Sequence, residues 1–205
     1  MNLKKLFQNF FYKTSKYSQA GQDLFALEVF GDEGSYIDIG AGVPIKDNNT
    51  YKLEVEHNWK GYSVEILEHY KDLWKNCKER KNKIYWVDAL TFDYKKAIIE
   101  NNLNSNIDFL SCDIDPQEKT FLALKKLIND GIKPKLITFE TDFYREEKDY
   151  SILAYEFLKP FGYKYAVKNV YSNLKKRKIF ETWFIKSDIN FEKLDYSKWV
   201  KKNVF

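Results

Sequence analysis

Residues 36–42 read YIDIGAG, and this stretch, from Tyr36 to Gly42, decides the fold. A short apolar run ends in Gly40-Ala41-Gly42, the composition of a strand that breaks into a tight turn. A glycine pair at a strand-to-helix turn lets a ligand approach the backbone closely. Several nucleotide-binding folds share such a turn, so its neighbours must discriminate among them. The dinucleotide fingerprint G-x-G-x-x-G would need a third glycine where this chain has Ile45, and Pro44 removes an amide there. Asp38 stands just before the first glycine, where a pyrophosphate would meet its negative charge. A sulfonium ligand that carries an amino group would tolerate that carboxylate.

Outward from this turn, strand-like and helix-like segments alternate. The strand-like runs are 35–40, 61–66, 83–89, 107–114, 135–140, 163–170 and 182–187. Helical stretches fall between the first six, at about 47–58, 68–80, 93–102, 117–129 and 149–159. Before the first strand, residues 18–30 carry a stripe of Leu24, Leu27 and Phe30, with Ser18 as the expected N-cap. Gly61, Gly131 and Pro160–Gly162 read as helix stops. Several strands are continuously apolar, as strands covered on both faces are. The last two runs have no helix between them, which predicts a hairpin. The expected fold class is therefore α/β, a doubly wound, mostly parallel seven-stranded sheet with one reversed strand and helices on both faces. Ligands of such sheets sit at the carboxyl ends of the strands, where strand order reverses.

Two further strand ends carry acids. Glu65 closes the second strand, 25 residues beyond Gly40, where an acid can accept the ribose hydroxyls of an adenosine. Asp88-Ala89 closes the third and is placed to take an adenine amino group. Each acid alone reads equally well as a solvated strand terminus; three in succession point to a nucleoside. With Asp38 ahead of the turn, the expected cofactor is S-adenosyl-L-methionine. The residues expected to hold it here are Asp38, Gly40, Ala41, Gly42, Glu65, Asp88 and Ala89.

These segments together resemble the FkbM-like S-adenosylmethionine-dependent methyltransferases, many of which act on sugar hydroxyls. SQAGQD (18–23) looks like the leading motif of that family, YIDIGAG like its cofactor loop and NWKGYSVEI (58–66) like its second strand. IDFLSCDIDP (107–116), LITFETDFY (136–144), FLKPFGYKYAVKNV (157–170) and FETWFI (180–185) resemble later segments of one branch, so the resemblance spans about residues 17–187. It implies that Gln19, Gln22 and Asp23 help hold the methionine end of the cofactor and that Glu65 holds the ribose. It further implies O-methyl transfer to a sugar or nucleotide-linked sugar, in surface polysaccharide or natural-product glycan synthesis, with S-adenosyl-L-homocysteine as product. Val43-Pro44 and Thr141 depart from the family pattern, the latter where a histidine is common.

Methyl transfer to a hydroxyl needs positioning and removal of a proton. Asp113 and Asp115 after the fourth strand, and Glu140 and Asp142 after the fifth, are the expected catalytic acids. Alternation places each pair on one side of an extended segment. Such a group shares a proton, acts as a base, or binds a divalent cation such as Mg²⁺ or Mn²⁺, for which Asp113 and Glu140 are the candidates. Asp115-Pro116 reads alternatively as a helix N-cap followed by proline at the first helical position. The run from Lys168 to Lys178 is either a solvated loop or, through Lys175, Lys176 and Arg177, a cradle for an anionic acceptor.

Composition limits the alternatives. Hydrophobic residues make up 44% of the 205 and aromatics 18%, enough for a ring-rich core in one domain. Lysine and arginine number 34 against 30 acids. Four of those lysines (Lys4, Lys5, Lys13, Lys16) lie in residues 1–17, which contain no acid, leaving 30 of each sign in residues 18–205. That balance argues against a broad nucleic-acid-binding face. The domain division expected is a basic amphipathic helix over 1–17 and the α/β domain over 18–205. Residues 1–16 either pack on the domain or contact an anionic membrane surface or a partner. Cys77 and Cys112 read as free buried thiols, and with no bilayer-length apolar run or signal-peptide pattern the expected location is cytoplasmic. The rival functions are methylation of a small non-sugar metabolite and a catalytically silent docking protein.

Overall fold

The computed structural model describes residues 15–141, 148–171 and 179–191. The elements run α1 (Gln22–Phe30), β1 (Ser35–Ile39), α2 (Tyr51–His57), β2 (Lys60–Glu65), a 3₁₀ turn (Glu68–Tyr70) leading into α3 (Lys71–Asn76), and β3 (Lys83–Trp86). They continue with α4 (Tyr94–Glu100), β4 (Phe109–Cys112), α5 (Gln117–Asn129), β5 (Leu136–Glu140), α6 (Tyr150–Leu158), β6 (Tyr163–Tyr171) and β7 (Ile179–Lys186). One seven-stranded sheet has the order β3-β2-β1-β4-β5-β7-β6. The first five strands are parallel, and β7 is antiparallel to both β5 and β6. Strand order therefore reverses between β1 and β4, which places the turn at 40–42 over the switch point.

Alternation along the strands builds two cores. Ile37, Ile39, Val64, Leu110, Ile137, Phe139 and Phe184 face α4, α5 and α6. Tyr36, Phe109, Leu136, Trp183 and Ile185 face α1 and the region of α2, meeting Phe25, Ala26, Leu53 and Trp59. The second core is the aromatic one: Phe25 packs 5.1 Å from Trp183, centroid to centroid. Each large side chain buried in this way contributes about 1.5–3 kcal/mol. In α5 the buried positions Thr120, Ala123, Leu124, Leu127 and Ile128 follow the i, i+3, i+4 rule, and Gly131 (φ 84°) closes the helix. Cys77 and Cys112 are buried and free.

Four local expectations are corrected. Ser18 does not cap α1, which starts at Gln22 behind a left-handed Gly21; the Ser18 hydroxyl instead accepts from the Gly21 amide and donates to Asp23. Gly61 is not a helix stop but lies in β2, where a Cβ would come within 2.3 Å of the Tyr36 carbonyl oxygen. Asn58, left-handed at φ 56°, ends α2 in its place. Pro116 itself occupies the N-cap of α5, displacing Asp115 from that role. Because β4 ends at Cys112, strand alternation does not reach Asp113 and Asp115; the first is half-buried and the second exposed. Among the described residues no helix is long and apolar enough to cross a membrane.

Candidate cofactor and active site

The loop after β1 turns left-handed at Gly40 (φ 79°) and Gly42 (φ 56°) for two different reasons. A Cβ on Gly40 would lie 1.7 Å from the carbonyl oxygen of Asp113. Glycine is required there because the end of β4 passes over it, with the Asp113 amide donating to the Ile39 carbonyl. The group approaching Gly40 is therefore protein backbone. At Gly42 a Cβ would meet nothing within 4 Å, so that face of the loop is open to a molecule from outside the chain.

Glu65 ties this loop to the next strand end. Its Oε2 accepts from the Gly42 amide at 2.8 Å, and its Oε1 accepts from the amides of Ile66 and Leu67, both at 2.8 Å. A carboxylate has about four lone-pair positions. Three are used, so Glu65 as it stands has room for one ribose hydroxyl; a second would displace a backbone amide. Beside it is a small cleft of about 60 Å³ lined by Gly40, Glu65, Ile66, Asp88, Ala89 and Asp115, among others. Five of those six are residues the sequence singles out. Asp88 is partly occupied already, its Oδ1 accepting from the Leu90 amide. Glu65, Asp88 and Ala89, the residues expected to hold an adenosine, thus line one cleft, in a space a nucleoside would have to widen or lie across.

Beneath the loop lies a cluster that the sequence reading missed. Arg80, from the irregular stretch after α3, has a side chain only 2% exposed. Its Nε donates to Glu54 Oε2 (2.8 Å), Nη1 to Asn48 Oδ1 (2.9 Å) and the Pro44 carbonyl (3.3 Å), and Nη2 to Thr50 Oγ1 (2.9 Å) and the Tyr36 hydroxyl (3.0 Å). Thr50 Oγ1 in turn donates to Asp38 Oδ2 at 2.8 Å. Asn48 Nδ2 donates to the carbonyls of Ala41 and Val43, each at 3.0 Å. Burial pushes the Asp38 carboxyl above its ordinary value, against the opposing pull of Arg80 and the hydroxyls of Thr50 and Ser111. Burial acts in the same direction on Glu54, but there the Arg80 guanidinium and three hydrogen bonds prevail and hold it low. The signals available in sequence were a lone arginine and a lone glutamate, neither with a motif.

On the α1 side, Gln22 and Asp23 are buried and already bonded. Gln22 Nε2 donates to Glu181 Oε1 at 2.8 Å, and its Oε1 accepts from the Ala20 amide. Asp23 accepts from the Ser15 and Ser18 hydroxyls and its carboxyl is pushed up by burial. Gln19 is half-buried. Glu181 is the second residue the sequence analysis did not single out. It lies in β7 directly opposite Glu140 in β5, and both are buried. Glu181 Oε2 also accepts from Trp183 Nε1. The structure thus sets Glu140 opposite Glu181, the partner of Gln22, while Asp113 lies at the Gly40 crossing and Asp115 lines the cleft. Among the described residues no group of three or more His, Cys, Asp or Glu is arranged to hold a metal ion. Asp142, Lys175, Lys176, Arg177 and residues 1–14 lie outside the described residues.

Neither a protein-family model nor a curated protein matches the sequence. Solved structures do. The Dnmt2 methyltransferase of S. pombe aligns with TM-score 0.54 at 13% identity, over 75% of this chain and 49% of that one. The small RNA methyltransferase HEN1 aligns with TM-score 0.51 at 13% identity, over 82% of this chain and 25% of HEN1. Fibrillarin from Aeropyrum pernix, in complex with natively bound S-adenosyl-L-methionine, aligns with TM-score 0.50 at 15% identity, over 75% and 67%. The chain thus spans a quarter of HEN1. At these identities the likeness defines the fold: a class I, Rossmann-like fold of S-adenosylmethionine-dependent methyltransferases.

Proposed function

We propose that the protein is an S-adenosylmethionine-dependent O-methyltransferase that modifies the hydroxyl of a sugar or nucleotide-linked sugar. The observation that carries the donor half is the convergence on Glu65. Its carboxylate is fixed by three amides, keeps one acceptor position, and adjoins both the open face of Gly42 and the cleft at Asp88-Ala89. The bound sulfonium supplies an activated methyl group. The chain supplies the rest: Glu65 orients the ribose, the loop at 40–42 faces the methionyl end, which the FkbM-like resemblance also assigns to Gln19, Gln22 and Asp23, and Asp113 or Glu140 receives the proton of the attacking hydroxyl.

The acceptor class rests on the FkbM-like resemblance, and so do the surface-glycan setting and the cytoplasmic site of action. The basic run ending at Lys178 supports an acceptor that carries phosphate or another anion. The test has two stages. Calorimetry should show binding of S-adenosylmethionine and S-adenosylhomocysteine, with Glu65→Ala weakening both by about 30-fold or more, the loss of a hydrogen bond to a charged group plus the loop it holds. Indifference to both ligands would sink the donor assignment. A panel of nucleotide sugars, scored by S-adenosylhomocysteine release with and without a chelator, then addresses the acceptor and the metal.

A further inference from the structure

We infer that Arg80 is a positioning residue for the cofactor: it sets the shape of the loop from Asp38 to Thr50 before any ligand arrives. The inference rests on the donor half of the proposed function. A guanidinium has five N–H donors in a rigid planar fork, and here they reach five acceptors. Three of these, the Pro44 carbonyl, Asn48 Oδ1 and Thr50 Oγ1, belong to the loop. The other two, Glu54 in α2 and the Tyr36 hydroxyl in β1, anchor the fork to the elements on either side of the loop. Two relays extend its reach. Through Thr50 it fixes Asp38, the carboxylate before the first glycine. Its guanidinium carbon, Cζ, lies over the Trp74 ring, 4.4 Å from the centroid, and Trp74 Nε1 donates to the Gly42 carbonyl at 2.8 Å.

The loop between β1 and α2 contains no helix or strand, so its shape has to come from side chains. Asn48 contributes, but its Oδ1 is itself held by Arg80. A lysine would keep the charge and reach one or two of the five acceptors with no planar fork. Charge alone does not meet the geometry. Arg80 touches none of the residues lining the adenosine cleft; it acts on Gly42 and Asp38 through Trp74 and Thr50.

The test measures S-adenosylhomocysteine affinity by calorimetry, well below the melting temperature, for the wild type, Arg80→Lys and Trp74→Phe, with thermal unfolding alongside. Trp74→Phe keeps a ring under the guanidinium and removes only the indole donor to Gly42. The expected result is at least a tenfold loss of affinity in Arg80→Lys, a smaller loss in Trp74→Phe, and cooperative unfolding in both. Hydrogen exchange should show amides 41–50 losing protection in Arg80→Lys while the β4 and β5 amides keep theirs. A cooperatively folded Arg80→Lys protein that binds like the wild type would overturn the proposal. If Arg80→Lys does not fold, unchanged affinity in Trp74→Phe overturns it. If the wild type itself fails to bind, the donor assignment falls; the exchange pattern still decides whether Arg80 shapes the loop.

Discussion

The two ends of the sheet's carboxyl edge are built differently. Over β1 and β2 the charged groups and the loop are bonded to one another: Arg80 uses five donors, Asn48 bridges two carbonyls, and Glu65 collects three amides. Over β4, β5 and β7 the same edge carries Thr138 Oγ1 and Thr141 Oγ1, buried and, among the described residues, without a protein partner, a state shared by the Tyr62 and Ser63 hydroxyls within β2 and by Asn49 Oδ1 in the loop after β1. It also carries two buried glutamates placed opposite each other. An unpaired buried hydroxyl costs about 1–3 kcal/mol and both regions hold some; the regions differ in their charged groups, which the first ties together through Arg80 and the second sets face to face as Glu140 and Glu181. On the proposed function the first end is shaped in advance for the constant cofactor, and the second faces the acceptor, whose identity varies from one enzyme of a fold to another.

If that division is right, substitutions at the two ends should separate binding from chemistry. Asp113→Asn and Glu140→Gln should leave S-adenosylhomocysteine affinity within about threefold of the wild type. Whichever of the two takes the proton should lower turnover by roughly 10²–10⁴-fold, the usual range for a lost general base. Retained turnover in both variants, once an acceptor is known, would remove them from the chemistry and leave Asp115 and Asp142 as the remaining acids of the group. Loss of cofactor binding in Asp113→Asn would blur the two regions instead.

Gly40 is where the regions touch, and it gives the next largest effect. Gly40→Ala drives a Cβ into the Asp113 carbonyl and also strains a left-handed backbone, for a combined cost of about 3–5 kcal/mol. Gly42→Ala meets open space and carries only the backbone strain, about 1–2 kcal/mol. Urea unfolding of the two variants measures the difference directly. Cofactor affinity should fall in Gly42→Ala even so, because the methyl group occupies the open face.

Legibility divided along the same line. The seven strands, the mostly parallel sheet and its one reversed strand followed from alternating periodicities and the missing helix before the last strand; the order of the strands came only with the structure. The places of Glu65, at the end of β2, and of Asp88, two residues beyond β3, were readable because each closes an apolar run. Arg80 was not, since its partners Tyr36 and Thr50 lie 44 and 30 residues away and no local pattern announces a buried fork. Glu181 escaped for a related reason: its pairing with Glu140 depends on the antiparallel register of β5 with β7, which the sequence leaves open. Ser18 misled because its hydroxyl serves Gly21 and Asp23 one turn before the helix begins. Asp113 and Asp115 misled because the strand stopped earlier than its apolar run.

The smallest expected effect concerns pH, and it probes the bonded end alone. Glu54 is held below its ordinary 4.5, burial being outweighed by Arg80 and by the donors Asn82, Tyr36 and Lys81. A depressed carboxyl stabilises the fold above its unfolded value, and that contribution is lost as pH falls through the folded value. Asp38 is shifted the other way, raised above 3.8 by burial. Its contribution is present below 3.8 and is lost as pH rises through the folded value, so at neutral pH it opposes Glu54. Urea unfolding between about pH 3 and about pH 7 should therefore show Glu54→Gln with a flatter acid limb than the wild type. Asp38→Asn should show a steeper one, each slope changing by at most one proton, about 1.4 kcal/mol per pH unit. A Glu54→Gln slope equal to that of the wild type would mean that Arg80 does not hold Glu54 charged in solution, and an unchanged slope in Asp38→Asn would mean that burial does not raise Asp38.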